Sequence, residues 1–94
     1  MLFRSDKIKE TLVILQEECA EVIQATSKIL RFGFDSRYPT EESASTKDCL
    51  EMEVGQLLCM IGILVDKGVI DENAMMTAME HKNEKLKTWS SIFE

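Results

Sequence analysis

The stretch LQEECAEVIQATSKIL, residues 15–30, carries apolar side chains at intervals of three and four residues. The same spacing continues toward the amino terminus, and the whole row consists of Ile8, Leu12, Leu15, Cys19, Val22, Thr26 and Ile29. This periodicity predicts an amphipathic helix from about residue 5 to about residue 31. Ser5 or Asp6 is expected to cap its start, and Gly33 lies just past its end as a stop signal.

Two more helices are predicted downstream. The second spans about residues 46–67 and ends before Gly68, which is well placed as a C-terminal cap; its apolar stripe consists of Leu50, Val54, Leu57, Ile61 and Leu64. The third begins after Asp71, a favourable N-cap, and its apolar side consists of Met75, Met79, Leu86, Trp89 and Phe93. A loop over about residues 32–46 separates the first two helices, whereas the short link at residues 68–70 predicts that the second and third pair as a hairpin.

No segment alternates with period two, so no sheet is expected. We predict an all-α fold, a bundle of about three helices in a single domain over residues 1–94. From Leu57 onward the second helix is apolar on nearly all sides, which implies burial on several faces. Because 94 residues bury only a limited core, we expect a second copy to complete the bundle as a homodimer or homotetramer.

Composition excludes several classes of function. Eleven basic against seventeen acidic residues give a formal net charge of −6, which argues against a nucleic-acid partner because that partner requires a basic face. The longest apolar run, residues 57–65, is about half of what a membrane span needs, so no membrane partner is expected. Residues 1–7, MLFRSDK, contain three charged side chains and no long apolar stretch, which is not typical of a signal peptide.

The cysteines indicate a reducing compartment. Cys19, Cys49 and Cys59 form no C-x-x-C pair, which favours buried free thiols in a cytoplasmic protein.

Acidic side chains intrude on the apolar rows of both long helices. Glu18 and Glu21 lie three residues apart on one face of the first helix, and Glu17 lies at the edge of the same face. Glu53 and Gln56 repeat this spacing on the second helix, in a row with Cys49, Met60 and Ile63. Clustered carboxylates repel one another in a low-dielectric place, and a divalent cation such as Mg²⁺ removes that repulsion. The alternative is a solvated helix face, which is how we interpret the similar pair Asp48 and Glu51.

These motifs resemble a known family. Residues 15–22, LQEECAEV, resemble the first motif of MazG-like all-α nucleoside triphosphate pyrophosphohydrolases, and residues 53–58, EVGQLL, resemble their second motif, E-x-x-D. The resemblance covers about residues 8–89, and the compact length is similar to small phage-encoded members, for which the host cytoplasm would be the location. It implies a homo-oligomer that cleaves a (d)NTP to (d)NMP and pyrophosphate with Mg²⁺, for which Mn²⁺ can substitute.

Carried over by position, the resemblance implies that Glu18, Glu21 and Glu53 bind the metal. Glu17 and Glu18 match catalytic acids, with Glu17 near the attacking water or a further metal. Gln56 falls at the metal position where the family has Asp, and it brings a neutral oxygen instead of a charge. Two hypotheses remain besides the enzyme. Gln56 favours a catalytically weakened nucleotide-binding protein, and the amphipathic pattern alone is also consistent with a helical self-association module without a ligand.

Basic residues are candidates for substrate contacts. Arg31, Lys82 and Lys85 are expected to bind phosphates, Asn83 is expected to bind the base or ribose, and Lys28 is a further candidate; the alternative is ordinary solvation of a helix surface. Among Phe32, Phe34 and Tyr38 in the loop, one is a candidate to cover the base. His81 is expected to be exposed or half-exposed. Core or interface packing is expected for Trp89 and Phe93. Core packing, or alternatively the lining of a base pocket, is expected for the methionines Met52, Met60, Met75, Met76 and Met79.

Overall fold

A computed structural model describes residues 6–94 as three helices: α1 (Asp6–Phe32), α2 (Thr46–Asp66) and α3 (Glu72–Trp89). No strand occurs in this part of the chain, so the all-α prediction is confirmed. The predicted limits of α1 and α2 and the predicted start of α3 agree with the structure to within about one residue. The end of α3 differs: the helix ends at Trp89 with Ser90 as its C-cap, so Phe93, which was expected on its apolar side, lies beyond it. Ser5, a candidate cap, lies outside the described residues. None of the three helices is long and apolar enough to cross a membrane.

The helix ends form where the sequence places glycine and aspartate. Gly33 has a φ of 85° and its N–H donates to the Ile29 carbonyl at 2.7 Å, which closes α1. Gly68 has a φ of 71°; its N–H donates to Val65, and the Val69 N–H donates to Leu64, both at 2.9 Å. This pair of bonds is a Schellman motif, which the left-handed φ of a glycine permits without strain. The Asp71 side chain accepts from the Asn73 N–H at 3.3 Å and caps α3 as expected.

The segment between α1 and α2 is tied to both helices. The Thr46 and Lys47 N–H groups donate to the carbonyls of Ser36 and Phe34, each at 3.0 Å, and the Thr46 hydroxyl donates to the Gly33 carbonyl. Arg37 and Ser45 form an isolated antiparallel bridge. These bonds hold the two ends of the loop together at the junction of α1 and α2.

A reciprocal capping box starts α2. The Asp48 N–H donates to the Ser45 hydroxyl at 3.1 Å, and the Ser45 N–H donates to the Asp48 carboxylate at 3.3 Å. Hydrogen bonds from the side chain and backbone of Ser45 lower the pKa of Asp48, and Arg37 and Lys47 lower it further. Asp48 is exposed as expected. Its carboxylate is nevertheless not only solvated, because it accepts a hydrogen bond from the Ser45 N–H at the start of α2.

The chain divides into two compact units, the first ending at Ile63 and the second running from Leu64 to Glu94. Within the first unit the residues facing inward from α1 and α2 are mostly half-buried, and Thr11, Ala25 and Ser45 are fully buried. Among the described apolar residues only Ala25 and Leu64 are fully buried. A single chain therefore has a thin core.

Several side chains expected in a core are exposed in the single chain. Trp89 is 82% exposed and Phe93 is 55% exposed, so the core interpretation is wrong for both, while an interface role stays a prediction. Leu58 is 59% exposed although it lies where α2 is apolar on all sides. Exposed methionines and cysteines also contradict the expectation of burial; they are Met52, Met76, Met79, Cys19 and Cys59. In the first unit the physical reason is that α1 and α2 cover one face of each other and leave the opposite faces open. In the second unit α3 is the one complete helix among the described residues, so no second full helix of that unit covers it.

Candidate functional site

Within residues 6–94, two buried carboxylate oxygens have no hydrogen-bond partner. They are Oε2 of Glu18 on α1 and Oε2 of Glu53 on α2, and both residues are half-buried overall. A buried polar atom without a partner is costly and uncommon in folded proteins, so each instance calls for an explanation. Here the two atoms come from the two sequence motifs that were singled out for their acids.

A third carboxylate lies close to this pair. Burial raises the pKa of Glu53, and the negative charges of Glu21 and Glu18 raise it further. The acids of the two helices therefore act on one another electrostatically, although they are far apart in sequence. Glu18 is half-buried and Glu21 is exposed on α1, and the loop between the helices returns the chain so that Glu53 on α2 lies within electrostatic range of both.

The donor chemistry fits a hard divalent cation. Carboxylate oxygens are preferred ligands of Mg²⁺, and a cation would provide the missing partner for both buried oxygens while relieving the repulsion. Among residues 6–94, no three His, Cys, Asp or Glu side chains are already arranged as a metal-binding group. Glu18, Glu21 and Glu53 act on one another electrostatically, but their side chains would have to change rotamer to bring three carboxylates onto one ion.

The other two residues of the motifs lie at the periphery. Glu17 is exposed on α1, one residue before Glu18. Gln56 is exposed on α2, one turn beyond Glu53. Gln56 is thus accessible next to the acids, but no hydrogen bond within the described part of the chain links it to them. Its proposed ligand role stays a prediction.

Among the candidates for substrate contacts, Arg31 lies on α1, and Lys82, Asn83 and Lys85 lie on α3. The Arg31 guanidinium lies 4.7 Å from the centre of the Phe32 ring in a cation–π contact. Lys82 and Asn83 line a shallow groove on α3 of about 430 Å³, together with Ala78, Met79 and Leu86. Lys85 and His81 are exposed, as expected for His81. The substrate roles of Lys82, Asn83 and Lys85 stay predictions.

One cavity was not anticipated from the sequence. It has a volume of about 450 Å³ and lies where the loop meets α1 and α2; its walls are formed by Lys28, Phe32, Ser36, Arg37, Tyr38, Ala44, Thr46 and Cys49. From the sequence, Lys28 was a candidate for phosphate contact, and Phe32 and Tyr38 were candidates to cover the base, but nothing grouped them in one site. The signal that links them is the capping pattern Ser45-x-x-Asp48, which marks the start of α2 and so indicates where the loop must return to α1.

Comparison with protein-family models, with curated proteins and with solved structures finds no match to this chain. The functional argument therefore depends on the two motifs and on the geometry of the carboxylates.

Proposed function

We propose that this chain is a Mg²⁺-dependent nucleoside triphosphate pyrophosphohydrolase, which converts a (d)NTP and water to (d)NMP and pyrophosphate. The observation that carries the proposal is the pair of buried, unpartnered oxygens of Glu18 and Glu53. The two residues belong to the two motifs that resemble the MazG-like family, and Glu21 of the first motif acts on the same cluster. A solvated helix face would not leave buried carboxylate oxygens without partners.

In this proposal Glu18, Glu21 and Glu53 would hold the metal, which, when bound, neutralises the charge of the triphosphate oxygens. Glu17 is exposed beside this cluster, so its carboxylate is accessible to a water molecule. It accepts the proton of the water that attacks the α-phosphorus, the bond from that phosphorus to the bridging oxygen breaks, and pyrophosphate leaves. Arg31 lies on α1 as a cation for phosphate oxygens, and its stacking on Phe32 restrains its side chain.

We also propose that the enzyme is a homodimer or homotetramer built on α1 and α2. Ile23 and Leu30 are 69% and 82% exposed and lie two turns apart on one face of α1. On α2, Leu58 is exposed between Gly55 and Gly62, and nothing lies within 4 Å of the position of a Cβ at either glycine. Such an apolar surface with small residues is suited to close approach by another helix.

A second candidate function is a nucleotide-binding protein without efficient turnover. The neutral side chain of Gln56 favours it, because the family pattern has a carboxylate there. Both candidates predict stabilisation by nucleotide and metal, about 2.7 kcal/mol at a hundredfold excess over Kd. Only the enzyme releases pyrophosphate. A self-association module without a ligand predicts neither effect.

The deciding experiment is a panel of ribo- and deoxyribonucleoside triphosphates incubated with the protein and either Mg²⁺ or Mn²⁺. Pyrophosphate and monophosphate are both measured, with EDTA and the variant Glu53→Gln as controls. We expect equal amounts of the two products, dependent on the metal and lost in Glu53→Gln. Release of inorganic phosphate with nucleoside diphosphate would contradict the proposed cleavage position, and the absence of any product would leave the binding protein as the better interpretation.

A further inference from the structure

The cavity at the loop has a composition that differs from the rest of the protein. Its walls contain two cations, Lys28 and Arg37, and no carboxylate, in a chain whose net charge is −6. Arg37 is partly neutralised, because its guanidinium donates to the Ser43 carbonyl at 2.7 Å and lies 4.0 Å from Asp48. Lys28 makes no ion pair with any described residue. The cavity therefore offers hydrogen-bond donors and positive charge to a ligand.

Aromatic rings flank these donors. Tyr38 is 88% exposed and Phe32 is 56% exposed, and both line the cavity. Exposed rings at the mouth of a cavity are suited to stacking against a planar ligand. The volume of about 450 Å³ lies within the range of small-molecule sites and far exceeds the space that a single phosphate group needs. A planar heterocycle fits this lining better than a phosphate alone.

The cavity lies along the same helix faces as the acidic cluster. Lys28 follows Glu21 by seven residues, which places it two turns further along one face of α1, about 10 Å away. Cys49 precedes Glu53 by one turn on α2, on the side of the loop. A nucleotide whose phosphates lie at Glu18, Glu21 and Glu53 would therefore extend its nucleoside toward the cavity.

The donors of the lining discriminate among nucleobases. The Lys28 ammonium and the Arg37 guanidinium donate hydrogen bonds and accept none. The Thr46 hydroxyl already donates to Gly33, which leaves the hydroxyls of Ser36 and Tyr38 as adaptable groups. Guanine presents O6 and N7 as adjacent acceptors and thymine or uracil presents O4, whereas adenine and cytosine present an amino donor at the corresponding position. An amino group facing Lys28 would leave two donors opposite each other, with no acceptor for either at that position.

We propose that this cavity binds the nucleobase of the substrate and selects the keto bases guanine, thymine and uracil over adenine and cytosine. The inference rests on the proposed function for the placement of the phosphates, but it assigns a separate set of residues. Lys28 and Arg37 read the carbonyl oxygens, and Phe32 and Tyr38 stack on the ring.

The test uses nucleoside monophosphates with EDTA present, so that neither metal binding nor turnover is needed. Isotope-labelled protein is titrated with dGMP, dTMP, dAMP and dCMP at millimolar concentration, and backbone amide shifts are followed by NMR. We expect shifts in residues 33–46 and around Lys28 with dGMP and dTMP, and affinities about tenfold weaker for dAMP and dCMP. Lys28→Met should remove most of this preference, whereas Lys47→Met, a matched change outside the lining, should leave it intact. Tyr38→Leu should weaken the binding of all four nucleotides, whereas Phe93→Leu, a change at an exposed aromatic residue outside the lining, should not.

Three results would overturn the proposal: equal affinity for the four monophosphates, no shifts in residues 33–46, or the same shifts with pyrophosphate alone, which would make the cavity a phosphate site. The outcome is separable from the proposed function. Base-selective binding without pyrophosphate release from any triphosphate would keep the cavity assignment and reject the enzyme. Turnover of all triphosphates at one rate, with no shifts at the loop, would keep the enzyme and reject the cavity assignment.

Discussion

At the scale of the residue, the raised pKa of Glu53 makes the stability of the protein depend on pH. Burial and the charges of Glu21 and Glu18 raise its pKa above the ordinary value of 4.5. The ionised carboxylate is therefore less favourable in the folded chain than in the unfolded chain. The contribution of Glu53 to the free energy of unfolding is highest below its ordinary pKa and is lost as the pH rises through the raised pKa. Without divalent cations we expect Glu53→Gln to melt at a higher temperature than the wild type at pH 7 and to show a flatter dependence on pH.

Thermal melts with EDTA from acidic to neutral pH check this expectation, and Glu51→Gln, an exposed neighbour on α2, is the control that should change little. Added Mg²⁺ should raise the melting temperature of the wild type and not that of Glu53→Gln. A lower melting temperature for Glu53→Gln at pH 7 would show that the carboxylate is needed for the fold, which would remove the metal argument.

Gln56 supports a second prediction at this scale. Because Gln56 is exposed one turn from Glu53, an aspartate there would add a charged oxygen ligand beside the acids. We expect Gln56→Asp to bind Mg²⁺ more tightly and to raise (d)NTP turnover about tenfold, which is about 1.4 kcal/mol of barrier. The variant should also melt lower without metal, since it adds repulsion. Steady-state kinetics and Mg²⁺ titration measure the two effects, and Thr77→Asp on α3 is the control that adds the same charge elsewhere. If Gln56→Asp gains neither turnover nor Mg²⁺ affinity, position 56 is not at the metal.

At the scale of the element, the start of α2 depends on one serine. Ser45 is buried and exchanges two hydrogen bonds with Asp48, and its backbone pairs with Arg37 at the loop. We expect Ser45→Ala to lower the free energy of unfolding by about 1 kcal/mol, the usual cost of removing an N-cap side chain. Urea denaturation measures it, with Ser27→Ala, an exposed serine inside α1, as the control. Equal stability of the two variants would mean that the capping box is not important for α2.

At the scale of the whole molecule, the exposed apolar faces of α1 and α2 predict self-association. Ile23→Glu and Leu58→Glu place a charge on these faces, 69% and 59% exposed in the single chain. We expect each change to shift the protein to a smaller species by light scattering at micromolar concentration, with helical circular dichroism retained because neither side chain is buried within the chain. Gln24→Glu, an exposed polar neighbour, should not alter the mass. A monomeric wild type would contradict the proposed oligomer.

The sequence by itself determined the three helices and all of their described ends except the end of α3. The apolar spacing of residues 8–29 and 50–64 is a local property of the backbone period, and Gly33, Gly68 and Asp71 act within one turn of their own positions. It also singled out Glu18, Glu21 and Glu53, because a carboxylate in an apolar row is visible without a structure. The metal, the activity and the single domain stay predictions.

Only the tertiary structure decided which of these side chains meet and which remain open. Burial at Glu53 depends on the packing of α1 against α2, which no spacing within one helix specifies. The cavity at Lys28 and Arg37 depends on how the loop returns to α1 through Ser36, Thr46 and Gly33. The exposure of Trp89, Leu58 and Cys19 likewise could not be predicted from apolar periodicity. A periodic pattern specifies the direction in which a face points on its own helix, whereas burial requires a second element to cover that face.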